Sequence, residues 1–326
     1  MIKNPAPVQC VLPVVVALLM FGACAAPKVP PGSRAVKKEQ SPMPVITVSI
    51  LPQNWFVRRI ASGRVRIVTL TGPGQNPHDY GPTPRQMAEL AQSKIWILSG
   101  SEFEISLYPK IASLFPDLKI VNGTEGVKLR SLEEHNHRFE EHEGEDFSWD
   151  RHTWLGEEPA RIMAGHVRDA LAELDGANRD FYQANYEETI ADIENEFNRF
   201  RILLAPLKGT TVFVYHPAFG YFLDEFGIIQ EAVEIGGKEP SPRPLSELIA
   251  KARREKPAAI FIQAQFPVTA ASAVARAAGA RLVQMDPLSP DWLQGIRLLG
   301  EALAPEGDPA GTDGTLTAGQ KEESGG

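Results

Sequence analysis

Cysteine is nearly absent from this chain of 326 residues, which contains only Cys10 and Cys24. Because residues 25–326 contain none, no disulfide can form within them and no thiolate can ligate a metal there. Any metal held by that part of the chain must therefore have nitrogen or oxygen ligands. Positive charge is also in deficit, since 33 Lys and Arg residues stand against 41 Asp and Glu residues, for a net charge of −8. That balance argues against nucleic acid or another polyanion as the main partner.

Long hydrophobic runs are confined to the N-terminus. Lys3 gives the start a positive charge, Val8–Ala23 is mostly apolar, and small residues precede Cys24. This pattern predicts an export signal, because the run is too short and wrongly flanked for a spanning helix. The segment FGAC at residues 21–24 resembles a bacterial lipobox, which implies removal of residues 1–23 and lipidation of Cys24. An ordinary cleaved signal, with Cys24 incidental, is the alternative.

The segments at the two ends of the remaining chain lack any hydrophobic periodicity. Residues 24–44 contain five prolines and several lysines, a composition that predicts a tether between an anchor and a folded domain. Residues 306–326 are rich in Gly, Thr and acidic residues, and we expect them to be disordered.

Alternating strand and helix patterns predict an α/β protein with two lobes. In residues 45–177, the apolar run Val45–Leu51, an amphipathic stretch and Val65–Leu70 predict a strand, a helix and a strand, and hence a mainly parallel sheet flanked by helices. Residues 206–305 show the same alternation of strand and helix patterns, which predicts a second lobe of the same kind. Strands are predicted there over Thr211–Tyr215, Ala259–Gln263 and Arg281–Met285.

One long helix is predicted to join the two lobes. Residues 178–205 contain neither Gly nor Pro, and apolar side chains recur at spacings of three and four. Asn178 is a good N-cap residue, and at about 1.5 Å per residue the helix would span roughly 40 Å. A single stiff helix of this kind would let the lobes move little.

A His- and acid-rich segment interrupts the first lobe at residues 131–150. It holds His135, His137 and His142 among eight acidic residues, with few apolar side chains between them. Low hydrophobicity and high charge predict a mobile loop, and imidazoles among carboxylates can also collect divalent cations. A solvated insertion with no role is the alternative.

Three histidines and one aspartate stand at comparable element boundaries. His78, His216 and Asp286 each follow a predicted strand, and His152 precedes a predicted helix. Parallel strands bring their carboxyl ends to one edge of a sheet, so all four side chains can meet in a cleft between the lobes. Three imidazoles and a carboxylate form a tetrahedral set suited to Zn²⁺. A buried His216 satisfied by a backbone carbonyl is the alternative for that residue.

Several segments, in order along nearly all of residues 45–303, resemble the metal-binding subunits of bacterial ABC importers. These subunits form the zinc/manganese group, cluster A-I, of the solute-binding proteins. The matching segments are PQNWFV from Pro52, GQNPHDYGPTPRQM from Gly74, RHTWL from Arg151, YHPAFGYF from Tyr215, GKEPSP from Gly237, IFIQAQF from Ile260 and MDPLSPDW from Met285. The segment YHPAFGYF and the strand that contains Gln263 look most like the zinc-binding subgroup.

The resemblance implies two α/β lobes bridged by a long helix, with the metal ligands His78, His152, His216 and Asp286. Manganese-binding relatives usually carry Glu where His216 stands, so the resemblance favours zinc. Gln263 stands where many relatives have Glu, and we place this neutral side chain beside the site and not among the ligands. The loop at residues 131–150 is similar to that of zinc members, although it is shorter and poorer in histidine, and the disulfide of some zinc members is missing.

The function implied by the resemblance is capture of Zn²⁺ by a monomeric, lipid-anchored protein on the extracytoplasmic face of a membrane. The ion would then pass to an ABC permease driven by its ATPase. A manganese or broad divalent-metal specificity is the alternative within the same family. A zinc hydrolase is disfavoured, because Asp286 fills the fourth position and Gln263 cannot act as a base. An adhesin role remains open as an additional activity.

Overall fold

The computed structural model describes residues 43–132, 149–234, 238–257 and 259–304. The predicted signal segment, Cys24, most of the predicted tether, the predicted C-terminal tail and the loop histidines His135, His137 and His142 lie outside the described residues. Among the helices of the described ranges, none combines the length and the apolar character needed to cross a membrane.

The first lobe is built on a parallel four-stranded sheet in the order β2-β1-β3-β4. Each strand is followed by a crossover, as the alternating patterns predict. The elements are β1 (Val45–Val48), α1 (Gln53–Ala61), β2 (Arg66–Thr69), α2 (Pro84–Leu90), β3 (Ile95–Leu98), α3 (Glu102–Leu114) and β4 (Lys119–Asn122). Thr83 begins α2 with a capping box, because its hydroxyl accepts from the Gln86 amide while the Gln86 side chain accepts from the Thr83 amide.

The two ends of the His- and acid-rich segment form a short antiparallel pair. Strand β5 (Arg130–Ser131) pairs with β6 (Trp149–Asp150), with Arg130 opposite Asp150. The prediction of one mobile loop over residues 131–150 is therefore wrong at its ends, which carry strand hydrogen bonds. Helix α4 (Glu157–Leu174) follows a single 3₁₀ turn, and two acidic residues and a proline in its first turn are typical of a helix start.

The long predicted helix is present as α5 (Arg179–Leu203), with 25 residues. It is about 38 Å long, and Asn178 stands before it without capping it, because the Asn178 amide donates to Asp175. Helix α5 packs on α1 and along α4 of the first lobe, with contacts to α4 from Gln183 to Arg201. Near its C-terminal end, Phe197 and Phe200 contact the rings of Phe222 and Phe226, which belong to the second lobe.

The second lobe has its own parallel sheet, in the order β10-β9-β7-β8. Its elements are β7 (Thr211–Val214), α6 (Gly220–Asp224), β8 (Ile229–Ala232), α7 (Pro242–Glu255), β9 (Ala259–Ile262), α8 (Thr269–Ala278), β10 (Arg281–Gln284) and α9 (Trp292–Leu303). The sequence pattern does not predict β8 as a strand. Its central residues Gln230 and Glu231 are polar although both are buried, so neither an apolar run nor an alternation marks the strand.

The last helix returns to the first lobe. Trp292 of α9 is almost fully buried and its ring packs at 5.1 Å from those of Trp55 and Phe56 in α1. One cluster of buried apolar side chains therefore includes members of both lobes, such as Val48 and Val214. Shared packing of this kind supports the rigid connection that the long helix predicts.

Candidate metal centre

Three histidines from three separate chain segments converge in the cleft between the lobes. The Nε2 atom of His216 lies 3.0 Å from that of His78 and 3.2 Å from that of His152. In the described part of the chain these are the metal-ligating side chains that come together, with their ligand atoms all within 4.8 Å of one another. Two nitrogens bound tetrahedrally to one zinc ion at about 2.0–2.1 Å lie roughly 3.3 Å apart. The observed spacing is within a few tenths of an ångström of that value.

The residues next to each of the three histidines in the sequence fix the local backbone structure around it. His78 lies in a 3₁₀ turn after β2, and its amide donates to the side chain of Asn76, which caps the turn. His152 directly precedes the 3₁₀ turn Thr153–Leu155. His216 follows β7 by two residues, and Pro217 keeps it out of any helix.

The second nitrogen of every histidine ring is paired with a carboxylate. Nδ1 contacts Glu102 at 3.1 Å in His78, Asp150 at 2.9 Å in His152 and Glu234 at 2.8 Å in His216. A carboxylate only accepts hydrogen bonds, so each pairing places the ring proton on Nδ1 and leaves the Nε2 lone pair facing the centre. Carboxylates in this position orient ligating histidines and increase their basicity.

Burial and the carboxylates set the charge of the centre. Burial lowers the pKa of His216 to about 4, although its hydrogen bond to Glu234 opposes the shift. Burial also lowers the pKa of His78, but the hydrogen bond and the charge of Glu102 outweigh it and raise this pKa overall. Desolvation would raise the pKa of Glu102, yet the contact with His78 brings it down to about 2. At neutral pH, His216 is therefore neutral and able to ligate, and an anionic carboxylate lies behind His78.

Gln263 lies beside the three histidines and contacts the backbone of one of them. Its side chain is buried; Oε1 accepts from the His216 amide at 3.2 Å and Nε2 donates to the His216 carbonyl at 2.8 Å. Both polar ends of the side-chain amide are thus used to fix the backbone of one ligand. This arrangement makes Gln263 a support for His216.

Asp286 is not brought together with the three histidines. Its side chain is exposed, and Oδ1 accepts from the amide of Leu288 within its own turn. The turn after β10 holds the carboxylate in this position, and β10 lies two places from β7 in the sheet. Pro287 and Leu288 nevertheless line the cleft, and Pro287 accepts a hydrogen bond from the Trp154 indole at 2.8 Å.

Aromatic rings close two sides of the centre. The ring of Phe266 stacks on that of His216 with a centroid separation of 4.6 Å and an interplanar angle of 23°. Trp154 packs edge-on against His152 at 5.4 Å. Apolar walls of this kind limit solvent at the centre and strengthen its electrostatic interactions.

Sequence reasoning did not identify the three carboxylates behind the histidines. Asp150 could have been found, because it stands two residues before His152 and an aspartate can bond to its own chain two residues on. Glu102 and Glu234 carry no such signal. Glu102 begins α3, and Glu234 follows β8, the strand that sequence periodicity did not reveal.

The chain is similar to known proteins of metal uptake. The family model of ZnuA, described as the periplasmic component A of a zinc-uptake complex, matches residues 46–303. The high-affinity zinc uptake system protein ZnuA of Yersinia pestis is 26% identical over 267 residues, which cover 74% of this chain and 82% of that protein.

A relative named for manganese is as similar in sequence. The manganese ABC transporter substrate-binding lipoprotein PsaA of Streptococcus pneumoniae is 26% identical over 271 residues, which cover 78% of this chain and 81% of that protein. Among solved structures, a zinc-bound deletion mutant of ZnuA superposes with a TM-score of 0.72 at 29% identity, covering 82% of this chain and 99% of that one.

Proposed function

The chain belongs to the zinc-uptake complex component A family, and on that premise we propose that it captures Zn²⁺ outside the cytoplasm for import. Proteins of this family are substrate-binding components of metal transport and not enzymes, so the zinc hydrolase alternative is excluded. The metal is cargo, and the site has to release it as well as bind it.

The convergence of three imidazole nitrogens supports zinc over manganese. His78, His152 and His216 each present Nε2 to one point, and every Nδ1 is paired with a carboxylate. Nitrogen ligands suit Zn²⁺, whereas Mn²⁺ prefers oxygen. Relatives named for either metal are similar to this chain, so the donor set and not the relatives is what favours zinc.

Asp286 is our proposed fourth ligand in the zinc-bound protein. Its neighbours Pro287 and Leu288 already line the cleft, so a local change of the turn after β10 would bring the carboxylate toward the histidines. Asp286→Ala should then weaken zinc binding about tenfold or more, since an inner ligand is lost. Unchanged affinity in Asp286→Ala would assign the fourth position to water or to another group.

We further propose that the protein delivers the zinc ion to an ABC permease and its ATPase. A lipid on Cys24 would anchor it to the membrane. Support comes from the FGAC segment at residues 21–24 and from the similarity to a lipoprotein of an ABC transporter. We place the protein on the periplasmic or extracellular face of a membrane, as a monomer. Cys24→Ser should move the expressed protein from the membrane fraction to the soluble fraction, and retention in the membrane fraction would refute the anchor.

The auxiliary metal role of His135, His137 and His142 stays a prediction. Their replacement together by Asn should leave one zinc ion bound at the three-histidine centre and remove any weaker second ion. Equilibrium dialysis at micromolar zinc, with and without the three replacements, measures the stoichiometry.

Competition with a chelating dye tests the proposed zinc site. His78→Ala and His216→Ala should each weaken zinc binding by at least a hundredfold, because each removes one of the converging nitrogens. His166→Ala is the matched control, since His166 lies on α4 and its Nε2 contacts the Glu125 carbonyl, away from the centre. His216→Glu should shift the preference toward manganese. Wild-type zinc affinity in His78→Ala and His216→Ala would refute the site.

A further inference from the structure

Arg130 joins the base of the β5–β6 pair to the metal centre. Its side chain is only 11% exposed, and Nη1 donates to Asp150 Oδ2 at 2.7 Å. Asp150 is fully buried, and its other oxygen accepts from both the amide and the Nδ1 atom of His152, each at 2.9 Å. The two oxygens of one carboxylate are thus divided between the guanidinium and a histidine whose Nε2 faces the centre.

The pairing with Arg130 is what makes a fully buried Asp150 carboxylate tolerable. A buried anion with no counter-charge is costly, and without Arg130 the Asp150 carboxylate would keep only the ring and the amide of His152 as partners. The Arg130 guanidinium supplies the charge, and its fixed geometry restricts the carboxylate to one orientation. That orientation determines where the His152 ring points.

Arg130 also contacts the second lobe. Its Nε donates to Asp224 Oδ2 at 2.8 Å, at the end of α6. The Tyr221 hydroxyl, also on α6, accepts from the Arg130 amide at 3.1 Å and donates to the Asp150 carbonyl at 3.1 Å. Gly220 begins α6, and a Cβ there would overlap the guanidinium, so the absence of a side chain gives Arg130 its path. The α6 helix therefore holds both strands of the β5–β6 pair.

We propose that Arg130 is a positioning residue of the metal centre, which aligns His152 through Asp150, while its contact with Asp224 docks the β5–β6 pair on α6. The inference rests on the proposed zinc site, whose ligands it takes as given. Arg130 does not touch the metal. Its effect on binding passes through the orientation of one histidine, as expected for the supporting groups of a metal ligand.

Zinc competition and a cobalt spectrum of the full chain test this role. Arg130→Gln should bind zinc about 10- to 100-fold more weakly than the wild type, the cost typical of losing such a support. With Co²⁺ in place of zinc, the visible d–d bands should change in position or intensity, because they report ligand geometry, which a merely structural contact would leave unchanged. Arg130→Lys, whose ammonium cannot pair with both carboxylates at once, should lose at least threefold in zinc affinity and stays informative if Arg130→Gln does not fold.

Two further variants separate positioning from general stability. Asp224→Asn removes the docking contact but leaves Asp150 paired, so zinc affinity should stay within threefold of the wild type. Arg297→Gln is the matched control, because Arg297 makes a comparable pair with Glu196, between α9 and α5 and outside the centre. It should lower the melting temperature without changing zinc affinity or the cobalt bands.

The outcomes that overturn the inference are distinct from those that overturn the proposed function. A wild-type protein that fails to bind zinc would refute both. Zinc binding by the wild type with unchanged affinity and cobalt bands in Arg130→Gln and Arg130→Lys would refute the positioning role alone. Equal losses in Asp224→Asn and Arg130→Gln would also refute it, since docking of α6 and not the orientation of His152 would then carry the effect.

Discussion

Replacement of His216 by Gln should make the metal-free protein less sensitive to acid. Burial lowers the pKa of His216 to about 4 in the folded protein, whereas an unfolded histidine titrates near 6.5. Between these two values the unfolded chain binds a proton that the folded chain does not. The free energy of unfolding therefore falls as the pH is lowered through this window, and the loss is complete below about pH 4.

The size of the effect follows from the two pKa values. A difference of about 2.5 units corresponds to roughly 3.4 kcal/mol over the whole window. At pH 4.5 the folded His216 is still mostly neutral, and the loss relative to pH 7.5 is about 2.5 kcal/mol. Gln cannot ionise, so the variant should lack this part of the acid response, while the contributions of His78 and Glu102 are present in both proteins.

This difference in acid response can be measured by urea unfolding at pH 7.5 and at pH 4.5. A chelator is present, and tryptophan fluorescence reports the unfolding. The wild type should lose about 2.5 kcal/mol more than His216→Gln on acidification. His166→Gln, which changes a histidine away from the centre, should respond as the wild type does. Equal acid responses of the wild type and His216→Gln would refute the argument, because they would mean that His216 is protonated as readily in the folded as in the unfolded chain.

Three further substitutions test the supports of the centre and the packing behind it. Glu234→Gln should weaken zinc binding about 10- to 100-fold in a chelator competition, because the carboxylate on His216 Nδ1 is lost; a change below threefold would contradict this. Gln263→Leu should destabilise the metal-free protein by about 1–3 kcal/mol in urea, since the buried amide of His216 loses its partner and its carbonyl keeps only the Ala218 amide; a loss under about 0.5 kcal/mol would contradict it. Gly300→Ala should cost about 1–3 kcal/mol, because a Cβ would overlap the Phe200 ring, while zinc affinity stays at the wild-type value; an equal loss of affinity would contradict the assignment of this contact to packing alone.

The fold could be predicted wherever the spacing of the hydrophobic residues matches the strand or helix that forms there. The predicted strands over Thr211–Tyr215, Ala259–Gln263 and Arg281–Met285 each extend only one residue beyond β7, β9 and β10, because apolar runs mark them. Strand β8 could not be predicted, because two of its buried residues are polar. Gln230 accepts a hydrogen bond from the Phe219 amide, and Glu231 pairs with Lys251. Tertiary partners make a polar strand possible, and such partners leave no local signal.

The site could be predicted only in part, for a related reason. The histidines stand at element boundaries, which a sequence pattern locates, and their convergence follows from parallel sheets that face one cleft. Glu102 and Glu234 reach their histidines through tertiary packing alone, so sequence spacing cannot identify them. Asp286 is predicted with the histidines because it follows a strand, but the pattern does not show that its carboxylate accepts from the Leu288 amide within the turn after β10.

The sharpest test of the three-histidine site is a crystal structure of the zinc-loaded protein, with anomalous diffraction measured on both sides of the zinc edge. We expect one strong anomalous peak at about 2.0–2.1 Å from the Nε2 atoms of His78, His152 and His216. A zinc ion bound elsewhere, with these three nitrogens left unliganded, would contradict it.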